Sequence, residues 1–333
     1  MLLIKKHSFY LSYHLAYHIQ SVNNKERDYS CIDRHVNRPL CCSHFLIVMW
    51  GVNWPLTKLA LHYAPPLLFA GLRTEIGGLL LVFIGLFRYK ELRFKQNWSI
   101  YLLSALLNIV LFYGLQTIGL GYLPAGLFSA IVFLQPVLLG IFSWLWLGES
   151  MYRLKIIGLI LGFTGVATIS AGALTGNISL VGVLLALGTA LCWAFGTVYM
   201  KKIGDRADSV WLVAMQLIIG GILLMGSGSV SEAWSSIQWD ASFVAIMLFI
   251  SIFVIALGWL TYFILIGTGE ASKVASFTFL IPLVSITGSS LMMNEPITIH
   301  LGVGLLFVLV SILLVNLKPK PGISSSAAAT GHH

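Results

Sequence analysis

The chain has 333 residues, of which 58% are hydrophobic and only 10% charged, with a formal charge of +8 and a mean hydropathy of +0.89. Soluble domains carry about 25% charged and about 45–50% apolar residues. This composition therefore excludes an ordinary water-soluble enzyme, a disordered chain and a nucleic-acid binder, and it reads as an integral membrane protein whose scattered basic residues are topology signals.

Residues 1–42 are polar and rich in His and Tyr, without the clean apolar core and small-residue cleavage site of a signal peptide, and are expected to form a cytoplasmic extension. An α-helical span needs about 20 mainly apolar residues, since only a helix satisfies its own backbone in hydrocarbon. That window predicts ten spans, near 43–62, 66–87, 98–118, 124–147, 154–173, 179–199, 209–226, 242–266, 272–292 and 299–317. The low-complexity tail 318–333 is expected to be disordered and cytoplasmic, with no metal role for His332 and His333.

The basic residues test this division. They fall in the first 42 residues, in the second connection (Arg88, Lys90, Arg93, Lys95), the fourth (Arg153, Lys155), the sixth (Lys201, Lys202, Arg206), the eighth (Lys273) and after the last span (Lys318, Lys320). The odd connections hold none, so the positive-inside rule puts the even connections and both termini in the cytoplasm.

Two constant offsets superimpose the second half on the first. Adding 143 takes Trp50 to Trp193, Lys58 to Lys201 and Gly77-Gly78 to Gly220-Gly221; adding 146 takes Phe133 to Phe279, Leu134 to Leu280, Pro136 to Pro282, Glu149 to Glu295 and Gly158 to Gly304. The expected organisation is thus a first five-helix repeat at 43–173 and a second at 179–317. Five is odd, so the second copy starts from the opposite side of the bilayer. Inverted repeats of this kind mark secondary transporters, with the substrate site near the midplane between the halves.

Within the spans, ionisable residues are costly and usually functional. Arg73 is the leading candidate for an anionic group such as a carboxylate; the alternative is that it only holds its helix in place. Glu75 is a candidate coupling site if it faces the cavity, and packing if it faces a neighbouring helix. Lys58 and His62 are expected to snorkel to the outer headgroups. Trp50, Trp54, Tyr113, Trp193 and Trp259, with Asn53, Asn108, Gln116, Gln135 and Gln216, supply flat apolar walls and a few hydrogen-bonding groups, as a small-molecule pocket does. The repeat pairs Trp50 with Trp193, Tyr113 with Trp259 and Arg73 with Gln216 across this set. Pro136 and Pro282 are expected to kink their helices at equivalent places where a gate could bend. Glu149 and Glu295 are expected at helix junctions, Glu295 near the N-cap of the helix that follows it. The face formed by Gly158, Gly162 and Gly165 reads as intramolecular packing ahead of a dimer seam, with a homodimer kept as an alternative.

Cys31, Cys41, Cys42 and Cys192 offer neither a disulfide framework nor metal-ligand spacing, and no cofactor or metal is expected. The sequence lacks G-x-x-x-x-G-K-[ST], H-E-x-x-H and G-x-S-x-G, so neither direct ATP drive nor the commonest hydrolytic motifs are predicted.

Trp50-Gly51-Val52-Asn53, Ala70-Gly71-Leu72-Arg73 with Gly77-Gly78, Leu134-Gln135-Pro136, Leu147-Gly148-Glu149, Cys192-Trp193-Ala194, Leu280-Ile281-Pro282 and Asn294-Glu295-Pro296 together resemble the drug/metabolite transporter superfamily, in its EamA-like branch of ten-helix carriers. The resemblance covers about residues 43–317 and implies two inverted five-helix units around a central cavity, with transport of small metabolites, often amino acids, by a secondary mechanism. Glu75 stands where that pattern is typically apolar, and the first 42 residues have no counterpart in it. The expected function is a non-enzymatic exporter of amino acids or related zwitterions in the cytoplasmic membrane, with a small-molecule substrate and the bilayer as its partners. Alternatives are a carrier of nucleosides or drugs, a lipid-modifying membrane enzyme, or a passive channel.

Overall fold

The computed structural model describes residues 32–148, 151–174, 178–203, 206–267 and 280–317. The chain divides into two compact units, Met1–Cys41 and Cys42–His333, and the features below belong to the second. Among the described residues all regular structure is helical. The elements are α1 (Ile32–Ala60), α2 (Pro66–Gly85), α3 (Phe94–Leu120), α4 (Ala125–Leu147), α5 (Arg153–Leu174), α6 (Leu180–Ile203), α7 (Ser209–Ser231), α8 (241–267), α9 (Leu280–Met293) and α10 (Ile299–Asn316). Among the described residues six of these, α2, α3, α4, α6, α7 and α8, are long and apolar enough to cross a membrane, and α9 and α10 contribute shorter apolar stretches. The first helix begins at Ile32, ahead of the span start near 43 that hydropathy predicts.

Three rods depart from a straight α-helix. α3 is π-helical over Leu106–Leu111 and α8 over Ile250–Ala256, equivalent places in the two repeats. α4 breaks at Phe133-Leu134 and resumes as Gln135–Leu147. Pro136 therefore sits in a first helical turn, where its missing N–H costs nothing, and the bend precedes it instead of being caused inside a continuous helix. Pro282 lies likewise in the first turn of the described part of α9.

The helix seams carry the symmetry. On α2 and α7 a Cβ at Gly78 would meet Ile218, one at Gly71 would meet Met225, one at Gly85 would meet Trp211 and one at Gly228 would meet Leu68. As one partner's number rises the other's falls in step, so the two helices pack antiparallel. On α5 and α10 Gly158 faces Val315, Gly162 faces Ser311, Gly165 faces Val308 and Gly304 faces Ile169, again antiparallel. In both seams the partners are repeat counterparts, and small residues let their backbones approach as membrane helices require. The Gly158/Gly162/Gly165 face is thus an intramolecular seam.

Candidate functional site

α1, α3, α4, α6 and α8 bring a cluster of aromatic side chains together. Trp50 and Trp193 meet edge to face with ring centroids 5.8 Å apart, and Trp50 lies 5.8 Å from Trp259 and 5.1 Å from Tyr262. Phe112 and Phe133 close on Trp193 at 5.6 and 5.7 Å. These rings, Tyr262 apart, together with Trp54 and Tyr113 surround a narrow cavity of about 30 Å³, which Asn53, Gln116 and Val254 also line. That holds little more than one or two waters, so an organic solute requires the rings to part.

Repeat counterparts touch here directly. Trp259 Nε1 donates to the Tyr113 hydroxyl at 2.7 Å. Trp50 Nε1 donates to the Val254 carbonyl at 3.3 Å, inside the π-helical segment of α8, and a Cβ on Gly258 would lie 2.6 Å from that nitrogen. The π-helix and the glycine together admit the indole edge.

Arg73 adjoins the cavity and is fully buried. Its guanidinium donates to Thr57 Oγ1 at 2.8 Å and to Gln116 Oε1 at 3.1 Å, and it lies over the rings of Phe69 and Tyr113 at 5.0 and 4.7 Å. Among the described residues no carboxylate pairs with it, and its Nε, like Gln116 Nε2, lacks a hydrogen-bond acceptor. A guanidinium held only by neutral groups is complementary to an anionic oxygen pair.

Gln216, the counterpart of Arg73, is equally buried but sits in a separate nest. Its Oε1 accepts from Ser104 Oγ at 2.9 Å and from Asn108 Nδ2 at 3.3 Å, while its Nε2 has no partner among the described residues. Asn108 fits because α6 has Gly196 there: a Cβ would overlap its amide.

Of the other residues singled out by sequence, Asn53 lines the cavity and accepts from Thr57 Oγ1 at 3.2 Å. Gln135 is buried outside it and donates to Thr197 Oγ1 at 3.4 Å. Glu75 faces the α2–α7 seam instead of the cavity: a Cβ on Gly221 would lie 2.7 Å from its Oε2, which has no hydrogen-bond partner among the described residues. Glu149 and Lys273 lie outside the described residues.

Glu295 differs from expectation. It caps α4, not α10, by accepting from the backbone N–H of Ala125 at 2.9 Å and of Gly126 at 3.3 Å, while Thr298 caps α10. Proline follows Glu295, but the helix start whose N–H groups its carboxylate reaches belongs to the other repeat. Lys58 likewise turns inward, donating to the Leu123 carbonyl at 2.6 Å and pairing with Glu295 Oε1 at 3.2 Å, because an acid in reach outweighs snorkelling to headgroups. Glu232 makes a similar bridge, accepting from Leu67 N and Leu68 N at 2.9 and 2.8 Å at the start of α2. At the opposite ends of the helices Asp208 caps α7 and pairs with Arg88 at 2.8 Å.

Thr57, Ser104, Phe112 and Tyr262 escaped the sequence reading. The signal that could have found two of them, Ser104 and Phe112, is the i, i+4 series Ser104, Asn108, Phe112, Gln116 along one face of α3.

Two segments of the chain, residues 40–171 and 180–317, each match the EamA-like transporter family. The chain belongs to the EamA-like transporter family. It is therefore a multi-pass membrane transporter of the drug/metabolite transporter type and not an enzyme. It is 66% identical over 287 residues to an uncharacterized transporter, YvbV, of Bacillus subtilis (strain 168), covering 86% of this chain and 93% of that one. Over 278 residues it is 26% identical to a probable amino-acid metabolite efflux pump of Escherichia coli (strain K12), covering 76% of this chain and 86% of the pump. One solved protein crystal structure shares the fold with a TM-score of 0.64 at 18% identity, covering 84% of this chain and 96% of the other. The paired family segments coincide with the halves related by the antiparallel glycine seams, so the EamA-like architecture here is a duplicated helical unit.

Proposed function

We propose that this chain is a ten-span secondary transporter that exports amino acids or related zwitterions across the cytoplasmic membrane by alternating access, with both termini in the cytoplasm. The single observation that carries the substrate class is Arg73, buried without a carboxylate partner among the described residues and next to an aromatic cavity. A charged group in a span costs on the order of 2.5–3.5 kcal/mol on insertion scales, and a solute carboxylate offsets that cost. The Trp and Tyr rings hold an ammonium through cation–π contact or an organic side chain by dispersion. Trp50, Asn53, Tyr113, Gln135, Trp193, Gln216 and Trp259 form or support the solute pathway, and the break in α4 before Pro136 is where a gate bends, with Pro282 at the equivalent place in the second repeat. The efflux-pump relative supports the direction. Glu75 faces α7 on the seam between the halves and not the cavity, which favours packing over proton coupling for it.

A nucleoside or drug carrier is the second reading, favoured by the density of edge-to-face and tilted aromatic rings around the cavity. Counterflow in proteoliposomes loaded in turn with amino acids, nucleosides and lipophilic cations separates the two. Trans-stimulated uptake of amino acids alone is the expected result; stimulation by nucleosides or cations alone would reassign the substrate. Single-channel conductance would replace the carrier by a channel.

A further inference from the structure

Arg73 adjoins the aromatic cavity, its repeat counterpart Gln216 lies in a separate nest, and the two differ in depth. Arg73 lies two turns after the start of α2 and Gln216 two turns after the start of α7; since α2 and α7 pack antiparallel, the two side chains sit toward opposite ends of the seam. Each is fully buried. Each also rests on the same helix, α3, against groups about 12 Å apart along its axis, Gln116 for Arg73 and Asn108 for Gln216.

The chemistry of the two nests is alike in one respect. Gln216 Oε1 is saturated by Ser104 and Asn108, which leaves its Nε2 donor pointing at no acceptor among the described residues; Arg73 Nε and Gln116 Nε2 are in the same condition. Buried donors without acceptors are costly, and all three are satisfied by one kind of guest, an oxygen acceptor such as a carboxylate. Between the nests stand Phe112 and Trp193, 5.6 Å apart. Phe112 lies one helical turn from both Asn108 and Gln116 on the same face of α3.

We propose that the solute carboxylate has two stations: the Arg73/Gln116 nest toward the outer face and the Gln216/Asn108/Ser104 nest toward the cytoplasmic face, with the Phe112–Trp193 pair as the barrier between them. This rests on the transport reading above. A cationic donor at the outer station and a neutral one at the inner station make the solute bind more tightly outside than inside.

The test is initial-rate uptake in right-side-out and inside-out membrane vesicles, using the labelled amino acid that the wild type exchanges. Gln216→Leu raises the KM measured from the cytoplasmic face about tenfold, the equivalent of one hydrogen bond to a charged group, and leaves the outer KM within twofold. Gln216→Glu, isosteric and therefore a control for packing, gives the same one-sided rise by repelling the carboxylate. Arg73→Gln raises the outer KM, and the exchange variant R73Q/Q216R reverses which face binds more tightly. Equal shifts at both faces in the single variants, or no shift in Gln216→Leu, overturn the two stations while leaving transport standing. No flux in the wild type overturns the transport reading itself, and the stations with it.

Discussion

Trp50 and Trp193 hold equivalent positions in the two repeats, and their rings touch each other edge to face at 5.8 Å. The local two-fold relation between the halves therefore passes through the place where the aromatic cavity lies. A solute there sees one indole from each half. Trp50→Ala and Trp193→Ala should each raise KM for an ammonium-bearing solute by roughly tenfold or more, the worth of a desolvated cation–π contact, and the two losses should be of similar size. Uptake kinetics of the pair check this; a large effect from one and none from the other would mean that the halves do not contribute alike.

Glu295 ties the second repeat to the start of α4, and Lys58 leans on it. Glu295→Ala removes a helix cap and leaves Lys58 with only the Leu123 carbonyl, so it should destabilise by about 1–2 kcal/mol, as lost caps do. Lys58→Ala keeps both cap bonds and should cost less. Thermal unfolding in detergent should rank wild type above Lys58→Ala and Lys58→Ala above Glu295→Ala.

At the α5–α10 seam a Cβ on Gly165 would lie 2.7 Å from the Gly304 carbonyl oxygen, and one on Gly304 would lie 2.6 Å from that of Gly165. Backbone cannot swing aside, so Gly165→Ala and Gly304→Ala should each force the helices apart and lower Tm. Gly302→Ala and Gly226→Ala, at helical positions with nothing within 4 Å, should leave Tm unchanged or higher, since alanine is favoured over glycine in a helix by about 0.5–1 kcal/mol. Thermal melts of the four variants decide it.

Much of this was legible in the sequence for definite reasons. Trp, Pro and Glu are scarce enough that their recurrence at 143 and 146 residues exposed the duplication, and hydropathy located the apolar rods. Arg73 stood out because charge is rare in such a chain. What sequence could not supply was partnership across the repeats. Glu295 looked like a cap for the helix it precedes, yet it caps α4; Lys58 looked interfacial, yet an acid 237 positions later turns it inward. The break before Pro136 was invisible because Phe133 and Leu134 have ordinary helical composition. Gly196 carried no signal until the Asn108 amide was seen to occupy its space.

Glu75 is half-buried on the α2–α7 seam, and α7 carries no ionisable side chain between Ser209 and Ser231 to compensate it. If it carries the coupling proton, Glu75→Gln should still exchange solute against solute but should lose the dependence of net flux on a pH gradient. Comparing counterflow with gradient-driven uptake in the same proteoliposomes reads this out. A Glu75→Gln protein that responds to the gradient as the wild type does would confine Glu75 to packing against Gly221.

The claim on which the account turns is that Arg73 meets the solute's carboxylate, and counterflow with paired competitors tests it most directly. In the wild type an amino acid should compete with labelled solute and its carboxamide should not. Arg73→Ala leaves a cavity and two acceptors without their donor, so its folded fraction is matched to the wild type before assay, and it should lose at least about 90% of flux, the factor of ten that 1.4 kcal/mol represents. Wild-type flux in Arg73→Ala, or equal competition by the carboxamide, would contradict the account.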